Sequence, residues 1–139
     1  MEFETLAIHD GQTPEPRTGA VSVPIYQTST FQQDGIGRPR LGYDYSRSIY
    51  PTRQALEAAL ALLENGKYGL AFASGSAATV AALQILKPGD HILAGNDTYG
   101  GTFRIFERIL RPWGVNTTYV DAGNVEAVKK AILPNTRVI

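Results

Sequence analysis

From Thr52 onward the chain alternates between short apolar runs and segments whose apolar residues recur at helical spacing, and this alternation constrains the fold more than any other feature. Leu56, Ala59, Leu60 and Leu63 follow Pro51-Thr52 as a start signal and precede Asn65-Gly66 as a stop, which predicts a helix. The remainder predicts a strand over 69–73, a helix over 75–86, the turn Lys87-Pro-Gly-Asp90 and a strand over 91–94. A helix over about 99–110, a strand over 115–120, a helix over about 124–132 and a strand opening at Arg137 complete the series. Helical crossovers of this length make the strands parallel, place helices on both faces and gather ligands at the strands' C-terminal ends. Such ends recur at Ala73-Ser74-Gly75, at Ala94 to Tyr99 and at Val120-Asp121.

The first of these ends opens a helix that puts Val80, Leu83 and Leu86 on one face, so Ser74, Gly75 and Ser76 fall at its N-terminus. Unpaired backbone amides and the positive end of the helix dipole favour a phosphate there, and a glycine lets the backbone come close to it. An ordinary serine-capped turn would have the same local sequence.

The second end carries Tyr99-Gly100-Gly101-Thr102, with Arg104 and Arg108 on the helix that follows. An aromatic beside glycines can lie flat over a ring, and Arg104 can offer a planar fork to a carboxylate; the plainer alternatives are a packed tyrosine and solvated arginines. Ahead of the first predicted helix, the loop Gly42-Tyr-Asp-Tyr-Ser-Arg-Ser48 is dense in hydrogen-bonding groups, and Tyr45 and Arg47 suit a phosphate. In isolation it reads more readily as a polar surface loop, a reading weakened by the three anion-competent loops in one chain.

Residues 1–50 differ in texture. Pro14, Pro16, Pro24 and Pro39, with Gly11, Gly19, Gly35 and Gly37, interrupt every periodic pattern, and Val21, Val23, Ile25, Tyr26 and Phe31 are too scattered to build a core. An extended arm is expected, lying on another surface of its own subunit or of a neighbour. Residues 51–139 are expected to form the α/β part, and the apolar run opening at Arg137-Val-Ile139 is expected to continue, in a longer protein or against a partner.

Composition excludes several functions. Lys+Arg 13 against Asp+Glu 13 leaves no basic stripe for nucleic acid, and no apolar run approaches the ~18 residues of a membrane span. The acidic start Met1-Glu-Phe-Glu-Thr5 is unlike a secretory signal, so a cytoplasmic protein is expected. With no cysteine and two histidines, His9 and His91, thiolate chemistry and a metal centre are not expected, and both histidines read as structural.

Taken together, Thr5-Leu-Ala-Ile-His-Asp-Gly-Gln12, Pro24-Ile-Tyr-Gln-Thr-Ser-Thr-Phe31, Tyr43-Asp-Tyr-Ser-Arg-Ser48, Pro51-Thr-Arg53, Ala73-Ser-Gly-Ser-Ala-Ala78 and Tyr99-Gly-Gly-Thr102 resemble, in order, the start of the pyridoxal-phosphate enzymes of cysteine and methionine metabolism, cystathionine γ-lyases and γ-synthases above all. The resemblance implies part of the large α/β domain of the aspartate-aminotransferase-like fold (fold type I), with a mainly parallel sheet behind an extended N-terminal arm. It implies that Gly75 and Ser76 bind the cofactor phosphate and that Tyr99 stacks on the pyridine ring and moves protons. Arg104 would lie near the substrate. Tyr45 and Arg47 would reach the phosphate of a neighbouring subunit's site, with Asp44 close by, so that sites are shared in a dimer or tetramer. The implied chemistry is γ-elimination or γ-replacement on cystathionine or a homoserine- or homocysteine-type amino acid.

Two departures stand out. Ile49-Tyr50 replaces the family's usual Gly-Asn before Pro-Thr, and a left-handed backbone at Ile49 would cost about 1–2 kcal/mol and displace the Tyr45–Arg47 loop. The chemistry also needs a Schiff-base lysine and an acidic partner for the pyridine nitrogen, which the family carries further along; Lys67, Lys87, Lys129 and Lys130 all read as surface. The chain alone is therefore expected to be inactive. Alternatives are a non-catalytic partner of a full-length relative, which Ile49-Tyr50 would favour, and a generic phosphate-binding α/β module.

Overall fold

A computed structural model describes residues 2–139, which form two units, one running up to Ala71 and the other spanning Phe72–Ile139.

In the first unit the arm is not extended from its start. Helix α1 (Phe3–His9) occupies a stretch with no glycine or proline before Gly11, and it packs on α2 (Pro51–Leu63) with Leu6 half-buried. Gly11 has φ 75°, and a Cβ there would lie 2.5 Å from the Ala59 nitrogen, so only glycine allows this turn of chain to lie on α2. Beyond it the arm runs without regular structure, apart from isolated antiparallel bridges pairing Thr30 with Tyr45 and Gln33 with Pro39, to a 3₁₀ turn at Arg40–Gly42.

α2 begins with Pro51 at its first helical position and ends, as its sequence signals, at a left-handed Asn65 (φ 52°), with the Gly66 amide donating to the Ala61 carbonyl at 2.7 Å. Ala61 is the one fully buried hydrophobic residue of this unit among the described residues; Leu56, Leu60 and Leu62 stay about half exposed.

The strand expected over 69–73 does not form. Its apolar residues Leu70 and Phe72 are 75% and 45% exposed, and no ladder partner is present among the described residues. A run with strand composition becomes a strand only when another strand takes up its backbone groups. Gly69 instead lies against the Glu57 carbonyl of α2, where any Cβ would collide, and the Ala71 amide donates to Glu57 Oε1 at 3.0 Å.

The second unit matches the expected alternation. Helix α3 (Gly75–Leu83), strand β1 (His91–Gly95), helix α4 (Gly100–Ile105), strand β2 (Asn116–Val120), helix α5 (Val125–Ala131) and strand β3 (Thr136–Val138) follow in order. The strands form a parallel sheet in the order β2-β1-β3, with His91 opposite Asn116 and Gly95 opposite Val120. Leu83, Leu86, Ile92, Ile105, Phe106, Leu110 and Val115 make the core, and Leu93 is equally buried on the other face of β1.

α4 gives way to a π-helical turn at Phe106–Leu110, closed by the Arg111 amide on the Phe106 carbonyl at 2.9 Å. The wider turn brings Leu110 under the core together with Ile105 and Phe106 and leaves Ile109 60% exposed. Of the apolar face read for the preceding helix, Leu83 and Leu86 are buried while Val80 is 41% exposed.

Candidate functional site

Ser74 has an extended backbone (φ −155°, ψ 155°), and its Oγ accepts from the Ala77 amide at 3.2 Å, making it the N-cap of α3. The Ala78 amide turns back to the Ser74 carbonyl at 3.1 Å. The amides of Gly75 and Ser76, the first two of the helix, have no acceptor among the described residues. A Cβ built on Gly75 would meet nothing within 4 Å, so the space beside Gly75 is open. Two unused amides, the positive end of a helix and room for close approach are the donor set that a phosphate oxygen requires.

Tyr99 occupies the N-cap position of α4 and is 75% exposed. Its ring lies against Gly101: a Cβ there would run into Cε1 and would sit 3.1 Å from Cδ1 and 3.3 Å from Cζ. Gly101 is thus the residue that gives the ring its place, a role not assigned from the sequence. Arg104 and Arg108 are exposed on the helical turns that follow, and Arg104 pairs with no acid among the described residues, whereas Arg111 is held by Glu107 at 2.8 Å. An apolar cleft of about 440 Å³ runs along β1 from Ile92 to Gly95, with Thr79 of α3, Thr98, Thr102 and Ala122 among its other walls. The helix capped by Ser74 and the turn bearing Tyr99 therefore border one cleft, although Gly75, Ser76 and Tyr99 are not among its walls.

In the first unit, Tyr45 and Arg47 come together, the guanidinium carbon 5.1 Å from the tyrosine ring centroid, and both are exposed. Asp44 is partly exposed, and its Oδ1 accepts from the Tyr45 amide at 2.6 Å. The segment is a turn closed by the Ser48 and Ile49 amides, which both donate to the Tyr45 carbonyl, at 3.0 and 3.1 Å. Ile49 is not left-handed, since Leu41 and Asn65 are the non-glycine residues with positive φ among those described, and Tyr50 is extended at φ −156°. The displacement considered for Ile49-Tyr50 has no backbone cause.

Sequence reasoning named Pro51-Thr52 as a helix start but passed over what the side chains of Thr52 and Arg53 do. Pro51 starts α2. Thr52 pins the arm, donating to the Pro24 carbonyl at 3.1 Å and accepting from the Tyr26 amide at 2.9 Å. Arg53 binds the carbonyls of Ser46, Arg47 and Ser48. An arginine at the positive end of a helix was the available signal, because that position disfavours a cation unless something else holds it.

His91 is buried with both ring nitrogens in use, on the Thr136 hydroxyl at 2.8 Å and the Thr118 hydroxyl at 2.9 Å, a structural role as read from the sequence. Burial, together with the hydrogen bond it donates to Glu107, pushes the Tyr119 hydroxyl up to about 12. All four lysines are exposed; Lys129 pairs with Glu126 at 3.0 Å and Lys67 lies over the Tyr68 ring. Among the described residues no group of acids and histidines is arranged to hold a metal, and no helix is long and apolar enough to cross a membrane.

A parallel βα sheet with a capped helix start and an aromatic turn at its strand ends defines a class, the α/β folds in which ligands gather at strand C-termini. Comparison with known proteins places the chain within it. The family model for Cys/Met metabolism PLP-dependent enzymes matches residues 4–139, and the chain belongs to that family. It is 52% identical over 136 residues to cystathionine gamma-synthase of Mycobacterium tuberculosis (strain ATCC 25618 / H37Rv), covering 97% of this chain and 35% of that protein. It is 48% identical over 139 residues to cystathionine gamma-lyase of Bacillus subtilis (strain 168), covering 100% of this chain and 36% of the relative. The crystal structure of cystathionine gamma-lyase from Lactobacillus plantarum complexed with L-serine superimposes with a TM-score of 0.89 at 49% identity, over 99% of this chain and 36% of that one. The chain thus spans little more than a third of the length of these relatives. Its fold is part of a fold-type I pyridoxal-phosphate enzyme.

Proposed function

We propose that this chain forms part of a cytoplasmic pyridoxal-phosphate-dependent trans-sulfuration enzyme acting on cystathionine or a homoserine- or homocysteine-type amino acid, by γ-elimination or γ-replacement. The observation that carries the reading is the start of α3, where the amides of Gly75 and Ser76 lack acceptors among the described residues and the space beside Gly75 is open. These donors suit the phosphate end of the cofactor. When bound, pyridoxal phosphate supplies an electron sink for charge developing on the substrate carbons.

Tyr99 then covers the pyridine ring from its seat on Gly101, and its phenolic oxygen holds and releases a proton. Arg104, exposed and without an acid partner, receives the substrate carboxylate, with Asp44 nearby in a shared site. Tyr45 and Arg47, already stacked on each other, serve the phosphate of a neighbouring subunit, which requires a dimer or tetramer. The lysine that holds the cofactor's aldehyde end is not one of the four in this chain, so residues 1–139 alone are inactive in this reading.

The test is Gly75→Pro. Proline is favoured at the first position of a helix, and its Cβ would meet nothing within 4 Å, so α3 is retained while one amide donor is deleted. Affinity for pyridoxal phosphate, followed by absorbance titration of the natural-length protein, should fall about tenfold to a hundredfold, as for the loss of a hydrogen bond to a charged group. The melting temperature without cofactor should not change. Unaltered affinity would remove the cup from the reading, and tight binding of a nucleotide with none of pyridoxal phosphate would replace it by a generic phosphate-binding module.

A further inference from the structure

We infer that Arg53, braced by Glu57, is a positioning residue that holds the Tyr45–Arg47 turn in the shape in which it meets an anion. The guanidinium gathers three consecutive carbonyls of that turn. Nη1 donates to Ser46 O at 3.3 Å and to Arg47 O at 3.2 Å, and Nη2 donates to Ser48 O. Nε, on the other edge of the plane, faces Glu57 Oε1 at 3.3 Å, and the Tyr50 ring centroid lies 5.7 Å from the guanidinium carbon. Every nitrogen of the fork is engaged, in a geometry that an ammonium point charge does not reproduce.

The placement argues that the contact is specific. Arg53 lies in the first turn of α2, where the helix dipole repels a cation. It is three-quarters buried at the side chain and Glu57 four-fifths, so this is not a solvated surface pair. The same Glu57 oxygen accepts from the Ala71 amide at 3.0 Å, which fixes the carboxylate from its other side. Arg47 makes no ion pair of its own among the described residues; its position depends on the turn whose carbonyls Arg53 holds. Arg53 therefore presents Arg47 without needing to touch the anion itself.

The inference rests on the cofactor reading for the identity of the anion, and two measurements on the natural-length protein separate the two. The first is amide hydrogen exchange at Ser48 and Ile49, which report closure of the turn. Arg53→Met should accelerate both at least tenfold while leaving Ile92 and Leu93 unchanged; unchanged exchange at Ser48 and Ile49 overturns the inference. The second is pyridoxal-phosphate affinity in a double-mutant cycle. Arg47→Ala and Arg53→Met should each weaken binding about tenfold, and the double variant should bind no more weakly than Arg47→Ala. Losses that multiply would show Arg53 acting independently of Arg47 and overturn the positioning role. Should Arg53→Met lose helical signal, Arg53→Lys carries the same tests, since it keeps charge and stem; full affinity and full protection in Arg53→Lys would show that charge suffices and overturn the role of the fork. If Arg47→Ala leaves binding unchanged, the cofactor reading falls, and the exchange measurement alone decides whether Arg53 holds the turn.

Discussion

The two units of this chain are held together by different forces. In Phe72–Ile139 the fold is fixed by packing, with Leu86, Ile92, Leu93 and Val115 almost inaccessible to solvent and a sheet whose central strand is buried on both faces. In the unit up to Ala71, Ala61 is the one fully buried hydrophobic residue among those described, and the shape comes from polar side chains of one helix. Thr52 ties the arm, Arg53 ties the Tyr45–Arg47 turn, Gln54 accepts from the Tyr43 hydroxyl at 2.8 Å, and Glu57 ties the segment at Ala71. A packed sheet suits a rigid cradle for a cofactor. Side-chain pins suit a segment whose backbone must be displayed at a surface, as the proposed role of Tyr45 and Arg47 demands.

The largest effect expected from breaking this comparison is in the packed unit. Ile92→Ala removes a side chain 1% exposed at the centre of the sheet and should cost about 2–5 kcal/mol, read from urea unfolding. Exchange at Asn116–Val120 should rise with it, while Ser46 and Ile49 keep their protection. Equal acceleration in both units would show that they unfold as one body and dissolve the distinction.

The matching change in the pinned unit is Thr52→Val, nearly isosteric, which strands the Tyr26 amide and the Pro24 carbonyl. Its expected cost is about 1–3 kcal/mol, the penalty for an unpaired, partly buried polar group, seen as faster exchange at Tyr26 with the sheet unaffected. A neutral result would mean that the arm is held by something other than its pins.

The same division explains what was legible in the sequence. Period-two and helical patterns report burial of apolar side chains, so β1, β2, β3 and α2 to α5 of this chain could be placed from them, to within a few residues. The run at 69–73 carried the pattern of a strand without the partner that makes one, because composition records what a segment tolerates and not what lies beside it. α1 was hidden by the prolines and glycines that follow it. At the site, the capped start of α3 was legible because Ser-Gly-Ser before an apolar helix is a local signal. Gly101 under Tyr99, and Arg53 on three carbonyls, were not, because each depends on where a side chain folds back onto the main chain. The left-handed backbone considered at Ile49 does not occur, and the angle could not be read from the sequence because it is set by the turn around it.

A smaller effect is expected where a polar pin sits inside the packed unit. Ser74→Ala frees the Ala77 amide and should cost about 1 kcal/mol, measured by thermal melting without ligand. A loss comparable to that of Ile92→Ala would show the cap, rather than the core, to be what holds α3.

The smallest effect at neutral pH is at Tyr119, whose ring lies 5.5 Å from Phe103 while its hydroxyl donates to Glu107 at 2.9 Å. Here packing and pinning act on one side chain, and pH separates them. Burial, and next the bond to Glu107, raise the hydroxyl from its ordinary 10 to about 12 in the folded protein. Below pH 10 the tyrosine keeps its proton in both states and its contribution is complete. Between pH 10 and 12 the unfolded chain releases a proton that the folded protein retains, so stability falls as pH rises through this window. Tyr119→Phe keeps the ring in place, should cost about 0.5–1.5 kcal/mol near pH 8 for the lost hydrogen bond, and removes this part of the alkaline decline. Urea unfolding of both proteins at pH 8, 10 and 11.5 measures the difference. Parallel decline from pH 10 upward would mean that neither burial nor the bond to Glu107 holds the Tyr119 proton, whereas convergence of the two curves toward pH 12 would show that together they do.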